Sequence, residues 1–229
     1  MSATVLYMSM SLDGYIAGPN EGPGNGLGDG GERLHDWLSG VPGRPSGVNA
    51  EVFDESMATG AVVAGRGTFE PAGGWGGDHH DGVPIFVLSR DEPGIDIEGW
   101  PLVTYLRDVG TAMAEAKRAA GDKNVLVHGA ATAQLAIAAG ILDELEIHLI
   151  PVLLGEGRRL FEHLAPEHIE LERTRVIEGA SPKLARPRVC VRVDPSILRP
   201  SDVPPCIPLR GEVSPPSASE ANVRRPMPE

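Results

Sequence analysis

The chain has 229 residues, 41% of them hydrophobic, so it can bury a sizeable core and is predicted to form one main domain. Its formal net charge of -12 argues against a protein that holds nucleic acid or an anionic membrane by bulk charge. Cys190 and Cys206 form no disulfide framework, no apolar run approaches the ~20 residues of a membrane span, and Met1 to Met10 lacks the basic start of a signal peptide. We therefore expect a cytoplasmic protein without nucleic-acid or membrane partners, in which an anionic ligand would need a local basic site.

The first part of the chain combines a strand, a long loop and two helical segments. Thr4–Met10 is typical of a strand, and the glycine-rich run Pro19–Gly31 predicts a flexible flap, because so long a loop inside a compact domain is more often functional than decorative. A short helix is predicted over Glu32–Leu38, followed by a connector of turn residues at Gly40–Gly47. Val48–Met57 has apolar residues at helical spacing and predicts a further helix.

The segment Gly60–Glu70 (GAVVAGRGTFE) joins a strand to a helical turn through two glycines. Ala61–Ala64 is an apolar run typical of a buried strand, which breaks at Gly65–Gly67 before the helical turn. Backbone N–H groups left free at such a junction suit an anion, and the Arg66 guanidinium adds a planar donor fork that fits a phosphate. An ordinary tight connection with a surface arginine explains the same residues. The dinucleotide fingerprint is not present, since a glutamate stands where its third glycine would be.

Pro71–Gly82 predicts a second mobile loop, which carries Trp75 and the pair His79-His80. The two histidines lie beside Asp78 and Asp81 and could hold a metal ion. Adjacent side chains in a loop converge poorly, however, and no third distant ligand stands out. We interpret the pair as part of a solvated loop and predict no metal site.

Two strands and a helix follow the loop. Val83–Leu88 and Pro101–Leu106 are the strands, and the first of them ends in Ser89-Arg90, residues that suit a phosphate. Asp108–Ala120 predicts a helix with Asp108 or Thr111 as its cap and a glycine as its stop.

The strand, turn and helix arrangement then recurs. Asn124–Val127 predicts a short strand, and Ala133–Ala139 predicts a helix. The small side chains of Gly129–Thr132 between them would let a cofactor lie directly on the backbone, although close packing of the helix on the sheet needs small residues too. His128 alone indicates little, since a core histidine with satisfied hydrogen bonds would look the same.

The C-terminal part predicts a central strand, a hairpin and a tail. Asp143–Leu154 is the strand, and the turn after it carries the pair Arg158-Arg159, which either faces an anionic substrate or is solvated. Glu167–Ile177 and Arg188–Val193 predict the hairpin. Residues 195–229 contain nine prolines and no periodicity, and they predict a disordered tail. The alternation of strands and helices thus predicts an α/β protein, a three-layer αβα sandwich with a mainly parallel sheet and an antiparallel C-terminal edge.

Five motifs in this order carry a family resemblance: SLDGYIAG, GAVVAGRGTFE, PIFVLSR, VLVHGAATAQLAIAAGILDEL and PVLLGEGRRLF. Together they cover roughly residues 3–194 and resemble the dihydrofolate reductase-like family, which includes the reductase domain of the riboflavin-biosynthesis deaminase-reductases. The resemblance implies a mixed sheet of the dihydrofolate reductase type, a reductase domain over residues 1–194, and an NADPH-dependent oxidoreductase activity.

The resemblance also implies which residues hold NADPH. Its phosphates would contact Gly65, Arg66 and Thr68, and the adenosine 2'-phosphate would contact Ser89 and Arg90. The stretch from the pyrophosphate to the nicotinamide ring would lie against six small or apolar residues: Ile16, Ala17, Gly129, Ala130, Ala131 and Thr132.

The expected substrate side departs from that of a true dihydrofolate reductase. The position of the pteridine-binding carboxylate falls at Asn49, whose amide cannot make the ionic bidentate contact with a protonated pteridine, so dihydrofolate itself is not expected. Asp13 matches the aspartate near the substrate in riboflavin-pathway reductases and is our candidate catalytic residue, with a turn aspartate as the alternative. Phe53 and Trp75 could stack on a flat heterocycle or serve as core and loop anchors.

These assignments predict hydride transfer from C4 of the nicotinamide to a C=N or C=O carbon of a pterin, an aminopyrimidine or another small ring, with the flap excluding water. Two alternatives stay open. One is a protein that binds the nucleotide without turnover, and the other is a dehydrogenase of the dinucleotide-fingerprint type, with an acidic residue on the ribose in place of Arg66 and Arg90. A homodimer through the apolar late strands is expected.

Overall fold

The computed structural model describes residues 2–38, 45–164, 168–179 and 186–193. The predicted tail, residues 195–229, and most of the predicted connector after Leu38 lie outside these ranges. The strands, in chain order, are β1 (Thr4–Ser11), β2 (Tyr15–Ala17), β3 (Ala61–Gly65), β4 (Ile85–Leu88), β5 (Val103–Leu106), β6 (Val125–His128), β7 (Glu144–Ile150), β8 (Arg158–Arg159), β9 (Leu171–Gly179) and β10 (Arg186–Val193).

Four α-helices and two 3-10 segments accompany the strands. They are α1 (Val48–Met57), α2 (Arg66–Phe69), α3 (Val109–Ala120) and α4 (Ala130–Ala138), with 3-10 segments at Gly31–Leu38 and Gly73–Gly77. In the described ranges no helix combines the length and apolar character that crossing a membrane requires.

Eight strands form one sheet in the order β5-β4-β3-β6-β1-β7-β10-β9. The first six are parallel to one another, whereas β10 runs antiparallel to both β7 and β9. The short strands β2 and β8 form a separate antiparallel pair. The predicted mixed sheet with its antiparallel C-terminal edge is therefore confirmed.

Helices lie on both faces of the sheet, as the alternation of side chains along β3 shows. Ala61 and Val63 join a core cluster on one face, to which α3 and α4 contribute, while Val62 joins a second cluster with Phe69 of α2. Successive strand residues point to opposite faces, so the wholly apolar β3 is buried on both sides. The buried residues that α3 and α4 place in the first cluster are mostly small: Ala112, Met113, Ala116, Ala120, Ala130, Ala133, Ala136 and Ile137.

The neighbouring strands β3 and β6 lead to helices on opposite faces of the sheet. After β3 the chain enters α2, which packs in the second cluster, and after β6 it enters α4, which packs in the first. In open parallel sheets, ligands bind outside the carboxyl ends of the strands at such a switch point. The topology therefore directs attention to the turns that follow Ala64 and His128.

The glycine-rich segment predicted as a flap is a compact loop held by its own hydrogen bonds. The Gly18 N–H donates to the Leu27 carbonyl, and the Asp29 N–H donates to the Pro19 carbonyl, both at 2.8 Å. The Asp29 carboxylate also accepts hydrogen bonds from the side-chain amides of Asn20 and Asn25. These contacts close the loop at its base, next to β2.

The predicted element bounds differ from the structure mainly at very short strands and where a proline ends a strand. β7 ends at Ile150 rather than Leu154, because Pro151 has no N–H to continue the ladder and the Val152 N–H turns back to the Ile150 carbonyl. β2 and β8 were not predicted, since three and two residues are too short to give a periodic pattern. α4 begins at Ala130, three residues before the predicted start, so that most of the predicted turn is already helical.

Candidate functional site

Two strand-to-helix turns lie against each other at the carboxyl ends of β3 and β6. We call residues 65–68 and 129–132 together the double turn. A β-carbon placed on Gly129 would lie 2.2 Å from Thr68 Oγ1, and one placed on Gly65 would lie 3.0 Å from Thr132 Oγ1. Glycine is required at 129 for a second reason, since its φ of 90° is disfavoured for other residues. The two glycine turns recognised in the sequence therefore form one surface.

The second half of the double turn holds a buried hydroxyl without a partner. Thr132 is fully buried, and its Oγ1 makes no hydrogen bond to any described residue. Gly129, the N-cap of α4, brings no side-chain cap, and the first N–H groups of a helix have no acceptor within it. Burying an unsatisfied polar group costs about 1–3 kcal/mol. A bound ligand that accepts or donates a hydrogen bond here would remove that cost.

Arg66, in the first half of the double turn, is held by carboxylates. Its Nε lies 3.6 Å from Glu70, and its NH1 lies 3.4 Å from Asp91. The contact with Asp91 brings the end of β4 next to the first turn, so Ser89 and Arg90 lie on the same edge of the sheet as Arg66. The Ser89 hydroxyl is buried and bonded within its own turn to the backbone of Asp91, while Arg90 is exposed.

Ile16 and Ala17, the residues expected against the nicotinamide ring, lie in β2 and are 5% and 2% exposed. Ile16 shares the first core cluster with Ala130, so β2 packs close to the second half of the double turn. A β-carbon on Gly157 would lie 2.1 Å from the Ala17 carbonyl oxygen, which shows how tightly the β7–β8 loop passes over β2. Contact of a nicotinamide ring with these two buried side chains would need neighbouring groups to move.

Asp13 ties the β1–β2 corner to the loop after β7. Its carboxylate accepts hydrogen bonds from the Ser11 hydroxyl at 2.6 Å and from the N–H groups of Leu154 and Gly155 at 3.1 and 2.7 Å. The Ser11 hydrogen bond, followed by the two backbone N–H donors, lowers the pKa of Asp13 to about 2 against its ordinary 3.8. The group is thus ionised at neutral pH, and in this arrangement it acts as a hydrogen-bond acceptor that fixes the loop.

The structure places the three expected substrate-side residues in two different neighbourhoods. Asn49 lies in the first turn of α1 and donates to the Trp37 carbonyl at 3.4 Å, and Phe53 is partly buried one turn later. Trp75 packs edge-on against Phe69, with ring centroids 5.2 Å apart, and lies 5.8 Å from the ring of His128. Since His128 directly precedes Gly129, Trp75 lies beside the double turn, whereas Asn49 and Phe53 lie along α1.

The histidine pair is not solvated, which corrects the interpretation from the sequence. His80 is 4% exposed, and the His79 ring packs at a tilt of 51° against Trp75, with ring centroids 4.1 Å apart, and meets His128 edge-on at 5.4 Å. Burial, with His80 nearby, lowers the pKa of His79 to about 4, and burial lowers the pKa of His128 well below its ordinary value. At neutral pH these imidazoles are uncharged. Among the described residues, no group of three or more His, Cys, Asp or Glu is placed to bind a metal ion.

A left-handed turn brings this loop inward. Residues 73–77 all have positive φ, including Trp75 at 51°. β-Carbons on Gly74 and Gly77 would lie only 2.4 and 2.5 Å from the ring of Trp100, so the two glycines pack directly on that indole. The run GGWGG, which in the sequence predicts only a mobile loop, is the signal of this turn.

Arg158 is a further cation at the double turn, and the sequence had left its role open. A β-carbon on Gly67 would lie 3.6 Å from Arg158 NH1, and the Nε of this arginine pairs with Glu21 at 2.5 Å. An open cleft of about 360 Å³ runs beside this pair, between residues 18–21 and 156–158. A second cavity of about 380 Å³ is lined by residues of α1, β1, β6, β7 and β9, among them Glu55 and Arg175, and by none of the predicted site residues.

Comparisons with known proteins agree on fold and family. A crystal structure of a protein from Shewanella sp. PV-4 assigned to riboflavin biosynthesis has 21% sequence identity and a TM-score of 0.61, over 84% of this chain and 99% of that one. Dihydrofolate reductase from Enterococcus faecalis, complexed with NADP(H) and RAB-propyl, has 16% identity and a TM-score of 0.52, over 84% of this chain and 96% of that one. Among curated proteins none matches the chain. At such identities the two structures show the shared fold, which is the dihydrofolate reductase-like fold implied by the sequence motifs.

The family model described as "RibD C-terminal domain" matches residues 3–180, and the chain therefore belongs to the RibD C-terminal domain family.

Proposed function

We propose that the protein is a reductase that uses NADPH to transfer hydride to a small heterocyclic substrate of the pterin or aminopyrimidine type, and not to dihydrofolate itself. The observation that carries the proposal is the double turn, in which the uncapped start of α4 and the orphaned Thr132 hydroxyl lie against the turn that carries Arg66. Family membership supports it, as does the shared fold with a dihydrofolate reductase solved with NADP(H).

The residues of the double turn fit the phosphates of this cofactor. Gly65 and Gly129 let the two turns pack closely, Gly67 leaves exposed backbone where a phosphate would approach, and Thr68 and Thr132 supply hydroxyls. A phosphate would replace the carboxylates of Glu70 and Asp91 as the partner of Arg66. It matches the planar guanidinium fork and carries more negative charge than a single carboxylate. Ser89 and Arg90, one strand further along the same edge, would hold the 2'-phosphate that distinguishes NADPH from NADH.

The protein's own part in the reaction is to orient and to exclude water. When bound, NADPH would supply the hydride. Asp13 would act as a positioning residue, since its three hydrogen bonds hold the β7–β8 loop on the β1–β2 corner. The uncharged rings of Trp75, His79 and His128 are inclined to one another by 46–85° and would form an aromatic border beside the double turn, against which a heterocycle packs.

The test is a fluorescence titration of the protein with NADPH and with NADH, repeated on Arg66→Ala. Loss of a hydrogen-bonded ion contact is expected to weaken NADPH binding roughly 10- to 100-fold, since such contacts are worth about 1.5–3 kcal/mol. Arg118→Ala is the matched control, because Arg118 lies exposed on α3 and pairs only with Glu115 among the described residues. Equal affinity for NADPH and NADH, or an unchanged affinity in Arg66→Ala, would contradict the proposed site.

Activity needs its own measurement. NADPH oxidation is followed at constant cofactor concentration over a panel of oxidised pterins and aminopyrimidines. Tight binding without consumption across the panel would favour a nucleotide-binding protein without turnover over a reductase.

We also propose that the protein forms a homodimer through its late strands. β9 is the terminal strand of the described sheet, and it carries the exposed apolar side chains of Leu171 and Val176, each 48% exposed. An exposed edge of this kind is a template for pairing with a second chain. A monomeric mass by light scattering at micromolar concentration would count against the dimer.

A further inference from the structure

Arg158 and Glu21 form an ion pair that lies over the first half of the double turn. The Arg158 Nε is 2.5 Å from a Glu21 carboxylate oxygen, and the Glu21 side chain is only 14% exposed. The two terminal nitrogens of the same guanidinium lie 3.6 and 3.9 Å from the position of a β-carbon on Gly67. The guanidinium therefore stands between the glycine-rich loop on one side and the exposed backbone of the turn on the other.

The backbone fixes Arg158 in this place from two sides. Arg158 pairs with Ala17 in the β2–β8 ladder, and the preceding Gly157 lies too close to the Ala17 carbonyl to carry a side chain. On the other side, Gln134 of α4 donates to the Leu160 carbonyl at 2.9 Å. Arg158 is thus held between β2 and α4, the two elements that border the second half of the double turn.

The adjacent Arg159 is used differently. Its NH2 donates to the Tyr15 hydroxyl at 2.8 Å, its NH1 donates to the Asp13 carbonyl at 2.9 Å, and its guanidinium lies 4.3 Å above the Tyr15 ring. Arg159 thus uses both terminal nitrogens of its guanidinium to hydrogen-bond the β1–β2 corner. Of the two neighbouring arginines, only Arg158 reaches the double turn through the described contacts.

We propose that Arg158 binds a phosphate of the dinucleotide at the double turn, and that Glu21 holds the guanidinium until the phosphate displaces it. The inference rests on the proposed function, because it names a further residue of the same site. A phosphate fits the guanidinium fork and carries more negative charge than one carboxylate. A phosphate bound at Gly67 therefore replaces the Glu21 carboxylate on the Arg158 guanidinium. Release of Glu21 frees the glycine-rich loop from β8, and the cleft between residues 18–21 and 156–158 gives this loop room to move. Cofactor binding would thereby be coupled to the position of the loop.

Three variants test the exchange by NADPH titration. Arg158→Gln is expected to weaken binding about tenfold or more, since a charge-assisted contact is lost. Glu21→Gln is expected to tighten binding about two- to fivefold, because the competing carboxylate of a partly exposed pair is removed. Arg159→Gln, the matched control, is expected to change the affinity less than twofold, with circular dichroism confirming that each variant is folded.

The double variant Glu21→Gln/Arg158→Gln decides between exchange and a merely structural pair. If Glu21 acts through Arg158, the double variant binds NADPH as weakly as Arg158→Gln alone. An unchanged affinity in Arg158→Gln, or a Glu21→Gln variant that binds NADPH no more tightly than the natural chain, would overturn the proposal.

Titration with inorganic pyrophosphate separates this inference from the proposed function. If the natural chain binds pyrophosphate and the variants change its affinity in the stated directions, Arg158 is an anion-binding residue even where NADPH does not bind and the reductase proposal fails. If NADPH binds but Arg158→Gln leaves the affinities for NADPH and for pyrophosphate unchanged, the reductase proposal stands and this one fails. Absence of binding of both probes overturns both.

Discussion

Replacement of Gly129 by alanine should disrupt the contact between the two halves of the double turn. Gly129 has φ 90° and ψ 152°, a region that is essentially restricted to glycine, and placing another residue there costs on the order of 1–3 kcal/mol. The new β-carbon would also lie 2.2 Å from Thr68 Oγ1 and 3.2 Å from Thr68 Cβ. Overpacking of this kind adds about 1–3 kcal/mol. We expect Gly129→Ala to lower the free energy of unfolding by roughly 2–6 kcal/mol, a large part of the ~5–15 kcal/mol typical of a domain.

Gly121→Ala separates the two contributions. Gly121 ends α3 with φ 61° and ψ -119°, which is equally unsuited to alanine, but a β-carbon there would meet no atom within 4 Å. This variant should therefore lose only the conformational part, roughly 1–3 kcal/mol. The difference of about 1–3 kcal/mol between the two variants should appear as a further fall in Tm of roughly 2–12 °C for a chain of this size.

Thermal and urea unfolding, followed by circular dichroism, measure both variants. Adding Thr68→Ala to Gly129→Ala removes the closest atom, Thr68 Oγ1, and should recover part of the lost stability, although the contact with Thr68 Cβ remains. If Gly129→Ala is no less stable than Gly121→Ala, or if Thr68→Ala gives no recovery, the two turns do not touch. The candidate site would then lose its geometric basis.

Three further variants probe single side chains. Thr132→Val should raise the free energy of unfolding by about 1 kcal/mol, because a buried hydroxyl without a described partner becomes a methyl group. The same variant should weaken NADPH binding about 5- to 10-fold. A variant that is less stable and binds NADPH equally well would contradict the assignment of Thr132 to the cofactor site. The depressed pKa of Asp13 means that its contribution to stability is fully present above the ordinary value of 3.8 and is lost as the pH falls toward about 2. Urea unfolding of Asp13→Asn over this interval should therefore show a weaker acid dependence than the natural chain, and identical slopes would count against the hydrogen bonds described. Asp108→Ala should cost about 1 kcal/mol, measured by the same unfolding assay with exposed Asp122→Ala as control, since the Asp108 carboxylate accepts from the Thr111 N–H at 2.7 Å.

Strongly periodic elements and the sheet class could be predicted from the sequence. The helix at Val48–Met57 was predicted with its observed bounds, because its apolar residues recur at helical spacing. The apolar run of β3 and the repeated strand, turn and helix pattern predicted a mainly parallel sheet with two strand-to-helix turns of small residues. What the sequence could not give is that the turns touch, since the contact between Gly129 and Thr68 joins residues 61 positions apart.

Residues that depend on long-range packing escaped prediction for the same reason. His80 is buried, and Gly74 and Gly77 pack on the Trp100 ring, which lies more than 20 residues further along the chain, so no local sequence pattern predicts either feature. Arg158 and Arg159 are indistinguishable in the sequence, yet β8 pairing turns one toward Gly67 and the other toward Tyr15. β2 and β8, whose pairing gives the two arginines different partners, are too short to be recognised in the sequence.

The left-handed run at residues 73–77 sets an unusual limit on mutational tolerance. Gly74 and Gly77 are blocked by the Trp100 ring, so no side chain of any kind fits there. Gly73 and Gly76 face open space and are constrained by their positive φ alone, which asparagine and aspartate tolerate. A library randomised over these four glycines should therefore retain folded clones with asparagine or aspartate at the first and third of them, and with glycine alone at the second and fourth.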